Sequence, residues 1–420
     1  MIMERTMGNG IRVMMEPMQG VRSVALGVWV NAGSVRESKA EAGASHFIEH
    51  MVFKGTERRS AADIAAEMDN VGGTLNAFTS KECTCFYAKV LDEHLSIAAD
   101  VLADLVFHST FDAEELEKER RVVLEEILMT EDSPEDVSAE TAGALFFQGD
   151  PLALPILGTK ESIGAMPRET LLSYKQGHYV PKNIVIACAG SFSPDKLMEL
   201  LERHFSIPES PLSAGPFVQG YPGGRRVQFL KKDIEQIHLT LALPGFARDS
   251  EGQYPLAVLS NIIGGSMSSR LFQRIREERG LAYTVYSYPL FYANTGAFAL
   301  YAGTGEQQAA EVVRLMRKEL AEIRENGVTE EEFLRCREQL KGSYLLSMES
   351  SNAHMSALGK VALLQNREYN EAETIRRIEC VTMEDIQRIL PTVLDESNLS
   401  AAFVGRVERQ RTAIEAALEE

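Results

Sequence analysis

No stretch of this 420-residue chain approaches the roughly 18 consecutive apolar residues that a membrane-spanning helix needs, and no membrane span is expected. The start MIMERTMGNGIRVMMEP also lacks the charged, apolar and cleavage regions of a signal peptide, so the expectation is a cytoplasmic protein. Cysteine is scarce. Cys83, Cys85, Cys188, Cys336 and Cys380 are odd in number and scattered, unlike a secreted disulfide framework, and reduced thiols are expected. Cys83 and Cys85 would share one face of a strand, but a C-x-C without a second ligand pair reads as packing. Positive charge is short too, with 43 Lys and Arg against 61 Asp and Glu. A net charge of −18 argues against nucleic acid as a partner, because that contact depends on clustered cations, and it would attract basic substrates. GGSMSS, which has the look of a phosphate loop, lacks the G-K-[ST] ending, and a nucleotide role is not supported.

What the chain does have is an ordinary globular composition, 45% hydrophobic and 25% charged, with enough length for two to four domains. Between Ile207 and Gly224 the text IPESPLSAGPFVQGYPGG collects four prolines and four glycines, the composition of a linker. The expected organisation is a domain over 1–208, a linker over 209–224 and a second domain over 225–420. Each half opens with strand-like text, GIRVMMEP and VRSVALGVWV in the first, RRVQFLKK and QIHLTLAL in the second, and then turns helical. An internal duplication follows, with mixed sheet and helices in each half, hence an α/β (α+β) fold class. Helical periodicity is expected at 42–54, 61–70 and 112–131, and strands at 74–91 and 184–190. In the second half, helices are expected near 252–263, 267–279, 306–325 and 329–350.

In GASHFIEHMVFKG, His46, Glu49 and His50 stand at i, i+3 and i+4, so they project from one face of a helix. Two neutral imidazoles are good zinc ligands, and a carboxylate beside them can take a proton from the attacking water. This H-x-x-E-H order is the inverzincin signature. Phe47, Ile48, Met51 and Val52 make the rest of the helix apolar, so three polar side chains would be costly to bury there without a shared partner. A catalytic zinc needs a third protein ligand and an open position. The helix FDAEELEKERRVVLEEILM supplies it: stepping about 100° per residue from Val123 in the stripe Leu116, Val123, Ile127 places Glu119 and Glu126 beside that stripe and Glu125 opposite. Glu126 is the expected ligand. Glu119 is either a helix-edge charge or a residue that tunes the metal by hydrogen-bonding a ligand.

These residues, with NGIRV, GGTLNAFTSKE, ERRVVLEEI, PILGTKESI, YVPKNIVIACAG and GGSMSSRLFQRIREERGLAYTVYS, give the chain a resemblance to the pitrilysin and insulinase family of zinc peptidases. Within it the chain resembles the short two-domain group that includes mitochondrial processing peptidase and its bacterial relatives. The resemblance implies two tandem domains of similar fold, only the first holding one zinc per chain, closing as a clamshell in a homodimer around peptide substrates. It also implies that Asn76 and Ala77 pair with substrate backbone, and that Arg276 and Tyr283 hold the substrate and polarise the scissile carbonyl. Asp136 and Glu140, ten and fourteen residues after Glu126, match two acidic residues that bind an arginine near the cleaved bond in processing peptidases; read locally, they are a solvated acidic face. The expected function is a zinc-dependent metalloendopeptidase with Glu49 as general base. The alternative is a catalytically silent structural or assembly subunit of the same family. The remaining histidines, at 94, 108, 178, 204, 238 and 354, lack ligand spacing and are expected to be structural.

Overall fold

The computed structural model describes residues 2–420. The chain forms two compact units. The first takes the chain through Ile127, Leu154–Phe217 and Leu345–Asn370; the second takes Leu128–Ala153, Val218–Tyr344 and Glu371–Glu420.

The first unit is built on a six-stranded sheet of β1 (Met3–Thr6), β2 (Arg12–Pro17), β3 (Ser23–Val30), β4 (Thr74–Thr79), β5 (Thr84–Leu91) and β6 (Ile184–Gly190), in the order β1-β2-β6-β3-β5-β4. The second carries β7 (Arg226–Lys231), β8 (Gln236–Pro244), β9 (Ala282–Phe291), β10 (Gly296–Gly305) and β11 (Ser400–Gly405), in the order β7-β11-β8-β10-β9. Apart from the added β1, the two sheets share one topology. In each, the first strand runs parallel to the last (β2 with β6, β7 with β11) and every other pairing is antiparallel. The duplication read from the repeated strand text is therefore one of fold.

β3, SVALGVWV, is buried over almost its whole length, the pattern of a strand covered on both faces. Val24, Leu26, Val28 and Val30 enter the main core of the unit. The other face is covered by the helix Ser351–Gln365, which comes from the second half of the sequence. Met355 lies over Gly27 and Gly359 lies over Trp29, so closely that a Cβ on either glycine would clash. His354 Nδ1 meets Glu16 Oε2 at 2.8 Å, and Arg12 bonds Ala362 O and Asn366 Oδ1 at the end of the helix.

The exchange is reciprocal. The helices α1 (Ala44–Val52), α2 (Ala61–Asp69), α3 (Leu95–His108) and α4 (Ala113–Asp132) are followed by α5 (Pro134–Phe146), which packs on β8 and β11 of the second unit. Its Ser138 hydroxyl meets Thr240 Oγ1 at 2.8 Å. The compact units thus differ from contiguous halves divided at 209–224, because each sheet recruits one helix from the other half of the chain. On the first sheet, small residues meet large ones across that contact, Gly27 under Met355 and Gly359 against Trp29. The sequence text 74–91, in turn, resolves into the hairpin β4–β5, closed where Ser80 N donates to Cys83 O. All five cysteines are free.

Candidate metal centre and active site

α1 has a fully buried face of Phe47, Ile48, Met51 and Val52 and an opposite face carrying His46, Glu49 and His50. Its start is sharply defined. Gly43 has φ of +91°, and a Cβ there would meet Leu157 O at 2.7 Å and Gly158 Cα at 2.9 Å, so only glycine fits. α4 buries Leu116, Val123 and Ile127, the stripe expected from its periodicity, together with Glu119. That phase turns Glu126 toward the histidines.

Glu126 Oε2 lies 3.5 Å from His46 Nε2 and 3.4 Å from His50 Nε2. Ligand atoms about 2.0–2.2 Å from a tetrahedral zinc stand about 3.3–3.6 Å apart, so these separations leave room for one ion. The protonation pattern also fits. His50 Nδ1 faces Glu119 Oε2 at 3.1 Å, and a carboxylate there accepts the Nδ1 proton. In the neutral ring Nε2 then presents a lone pair toward the Glu126 carboxylate, an arrangement that a shared cation makes favourable. Burial, and then the neighbouring His50, lowers the His46 pKa to about 3, which keeps that imidazole neutral as a ligand must be. His46, His50 and Glu126 are the group whose donor atoms converge closely enough to hold a metal ion among the described residues.

Glu119 is 5% exposed and is held on its other oxygen by Lys54 Nζ at 2.6 Å. It touches His50 and lies behind the ring, where a carboxylate orients a ligand. Glu49 accepts a 2.5 Å hydrogen bond from Thr79 Oγ1. Burial pushes its carboxyl above the usual range, and the Thr79 bond pulls it partly back. Sequence reasoning missed Thr79 and Lys54. Thr79 stood within the quoted GGTLNAFTSKE, but which strand residue faces Glu49 depends on how β4 packs.

Thr79 ends β4, and β4 is an edge strand of its sheet. Asn76 is exposed on it, and its Oδ1 accepts the Ala77 backbone N–H at 2.8 Å. Beside the start of β4 runs a groove of about 950 Å³ with Phe53, Ile64, Met68, Leu75 and Tyr87 in its walls.

The other candidates belong to the second unit. Arg276 is the next-to-last residue of a π-helical turn, Phe272–Glu277, and its guanidinium lies over the Phe272 and Tyr283 rings, 4.7 Å from each centroid. Tyr283 is 74% exposed. Asp136 and Glu140 sit one turn apart on α5, both exposed. Their neighbour Glu135 accepts from Tyr286 OH.

Fold and site together describe a duplicated α/β protein in which two histidines and one carboxylate could hold a metal ion, with a second carboxylate beside them. Residues 12–160 match the family described as insulinase (peptidase family M16), and residues 165–340 match the peptidase M16 inactive domain. An uncharacterized zinc protease of Bacillus subtilis strain 168, YmxG, is 42% identical over 402 residues, 94% of this chain and 96% of that protein. An uncharacterized zinc protease of Mycobacterium tuberculosis strain H37Rv is 39% identical over 407 residues, 95% of this chain and 92% of that one. The chain belongs to peptidase family M16. Among solved structures, a protease from Helicobacter pylori shares the fold with a TM-score of 0.89 at 22% identity, covering 96% of this chain and 99% of that one. Among the described residues no helix is long and apolar enough to cross a membrane.

Proposed function

We propose that this chain is a zinc metalloendopeptidase that hydrolyses peptide bonds in extended segments, with one zinc per chain. The observation that carries the reading is the convergence of His46, His50 and Glu126 beside a Glu49 tied to the end of an edge strand. Zinc bound there supplies a Lewis acid that polarises the scissile carbonyl and eases ionisation of a water. The remaining work falls to the chain. Glu49 takes the proton of the attacking water and delivers it to the leaving amine, and the Thr79 hydroxyl keeps its carboxylate aimed. Glu119 holds the His50 ring. β4 offers an open edge to which a substrate can add as a further strand, with the Ala77 N–H exchanging its Asn76 partner for a substrate carbonyl.

In the second unit Arg276 and Tyr283 present a guanidinium edge and a phenol. These are donors suited to a substrate backbone and to a developing oxyanion. Asp136 and Glu140 offer paired carboxylates to a basic side chain. A catalytically silent subunit would need none of Glu49, Arg276 and Tyr283, and their joint presence supports the peptidase reading.

Mapping the products from a diverse peptide mixture tests these roles together. Arg276→Ala should slow cleavage of all peptides alike. Asp136→Asn/Glu140→Gln should remove a preference for Arg or Lys near the scissile bond, about 10-fold for a charge-assisted bond of roughly 1.5 kcal/mol, and leave neutral peptides unchanged. Equal loss on basic and neutral peptides in the double variant would sink the specificity assignment, and unimpaired cleavage by Arg276→Ala would sink the role given to that residue.

A further inference from the structure

The two histidines are supported unequally. His50 has Glu119 behind its ring, 3.1 Å from Nδ1, whereas His46 Nδ1 is buried with no hydrogen-bond partner. A metal-binding imidazole ordinarily has its far nitrogen held, which fixes the ring's tautomer and direction. For His46 the hold has to come from packing and from the backbone that carries it.

That backbone is gripped immediately ahead of His46. Glu37, 1% exposed, accepts the Gly43 N–H on Oε2 at 2.7 Å and the Ser45 N–H on Oε1 at 2.8 Å. α1 has no side-chain cap from its own N-cap residue, Gly43. The Ser45 hydroxyl meets the Tyr174 hydroxyl at 2.9 Å, so the first turn of α1 is also tied to the helix Arg168–His178. Burying this carboxylate has a cost: desolvation pushes its pKa up to about 7 against the pull of the Ser45 and Gly43 bonds. An ordinary exposed Ser or Asp cap would satisfy a helix end with less desolvation. What the two-oxygen grip adds is a fixed direction for the turn that carries His46.

We propose that Glu37 is a positioning residue for the metal centre: by clamping the Gly43 and Ser45 N–H groups it aims His46, doing through the backbone what Glu119 does for His50 through the ring. The proposal rests on His46 being a metal ligand. It is tested on the full chain by zinc affinity in competition with a chromophoric chelator, by the absorption spectrum of the Co²⁺-substituted protein, and by thermal unfolding of the metal-free form. Glu37→Gln keeps the shape but loses the charge and turns one acceptor into a donor. It should weaken zinc binding about 10- to 100-fold and shift the Co²⁺ bands. A Glu37→Gln/Glu119→Gln chain should bind zinc more weakly than either single variant, because each change acts on a different ligand. Glu37→Asp, which keeps the charge on a shorter stem, should show a smaller loss in the same direction and provides the test if the glutamine variant does not fold. Variants that melt earlier yet bind zinc with wild-type affinity and give an unchanged Co²⁺ spectrum would make Glu37 a plain helix cap and overturn the proposal. A wild-type chain that binds no zinc would overturn the metal reading itself, and the proposal with it.

Discussion

Glu49→Gln is expected to reduce peptide turnover by at least about 10²- to 10⁴-fold, the range that a positioned general base contributes, while zinc content stays at the wild-type level. Glutamine fills the same volume and still accepts the Thr79 hydroxyl bond, so the local packing survives. What it loses is the ability to take a proton from water and hand it to the leaving nitrogen. Glu49 is not among the converging donor atoms of His46, His50 and Glu126, which is why the metal should remain. Steady-state cleavage of a fluorogenic peptide, read beside metal analysis of the same sample, checks both halves of this expectation. Turnover within a few-fold of wild type would remove Glu49 from the mechanism.

His50→Ala and Glu126→Ala are each expected to lose most of the bound zinc, with affinity falling by more than about 100-fold. Partners that merely orient a ligand already cost 10- to 100-fold, so removing the ligand itself must cost more. The geometry makes the loss specific. Glu126 Oε2 is the atom that faces both imidazoles, at 3.5 and 3.4 Å, so no other carboxylate on α4 replaces it in place. Glu119 is engaged on the far side of His50 and by Lys54. Glu125→Ala, by contrast, should retain the metal. Metal analysis after dialysis decides the matter, and a full zinc complement in Glu126→Ala would mean that another group is the third ligand.

How much of this was legible in the sequence follows from the range of the interactions involved. The spacing of His46, Glu49 and His50 needs only one helix, and the phase of Glu126 against Leu116, Val123 and Ile127 needs only one more; both are local periodicities. Glu119 fell on the same edge, but whether it faced solvent or a ring could not be read from an angle alone. Its burial and its contact with His50 are tertiary facts. Asn76, Arg276 and Tyr283 had only weak local signals, and the family resemblance singled them out. Glu37 and Thr79 went unnoticed because nothing near them in sequence shows that one meets the start of α1 and the other its base. The exchange of α5 and the helix Ser351–Gln365 between units was invisible for the same reason. The helix Ser351–Gln365 reaches β3 with Gly359 lying over Trp29 and Met355 over Gly27, pairs separated by more than three hundred residues.

A zinc titration of the metal-stripped chain, with cleavage of a peptide in large excess as the readout, tests the zinc peptidase reading most directly. The stripped chain should be inactive, and activity should rise with added zinc to a plateau at about one ion per chain, each chain then cutting many peptides. Full activity without metal, or one tightly bound zinc per chain with no peptide cut, would contradict it.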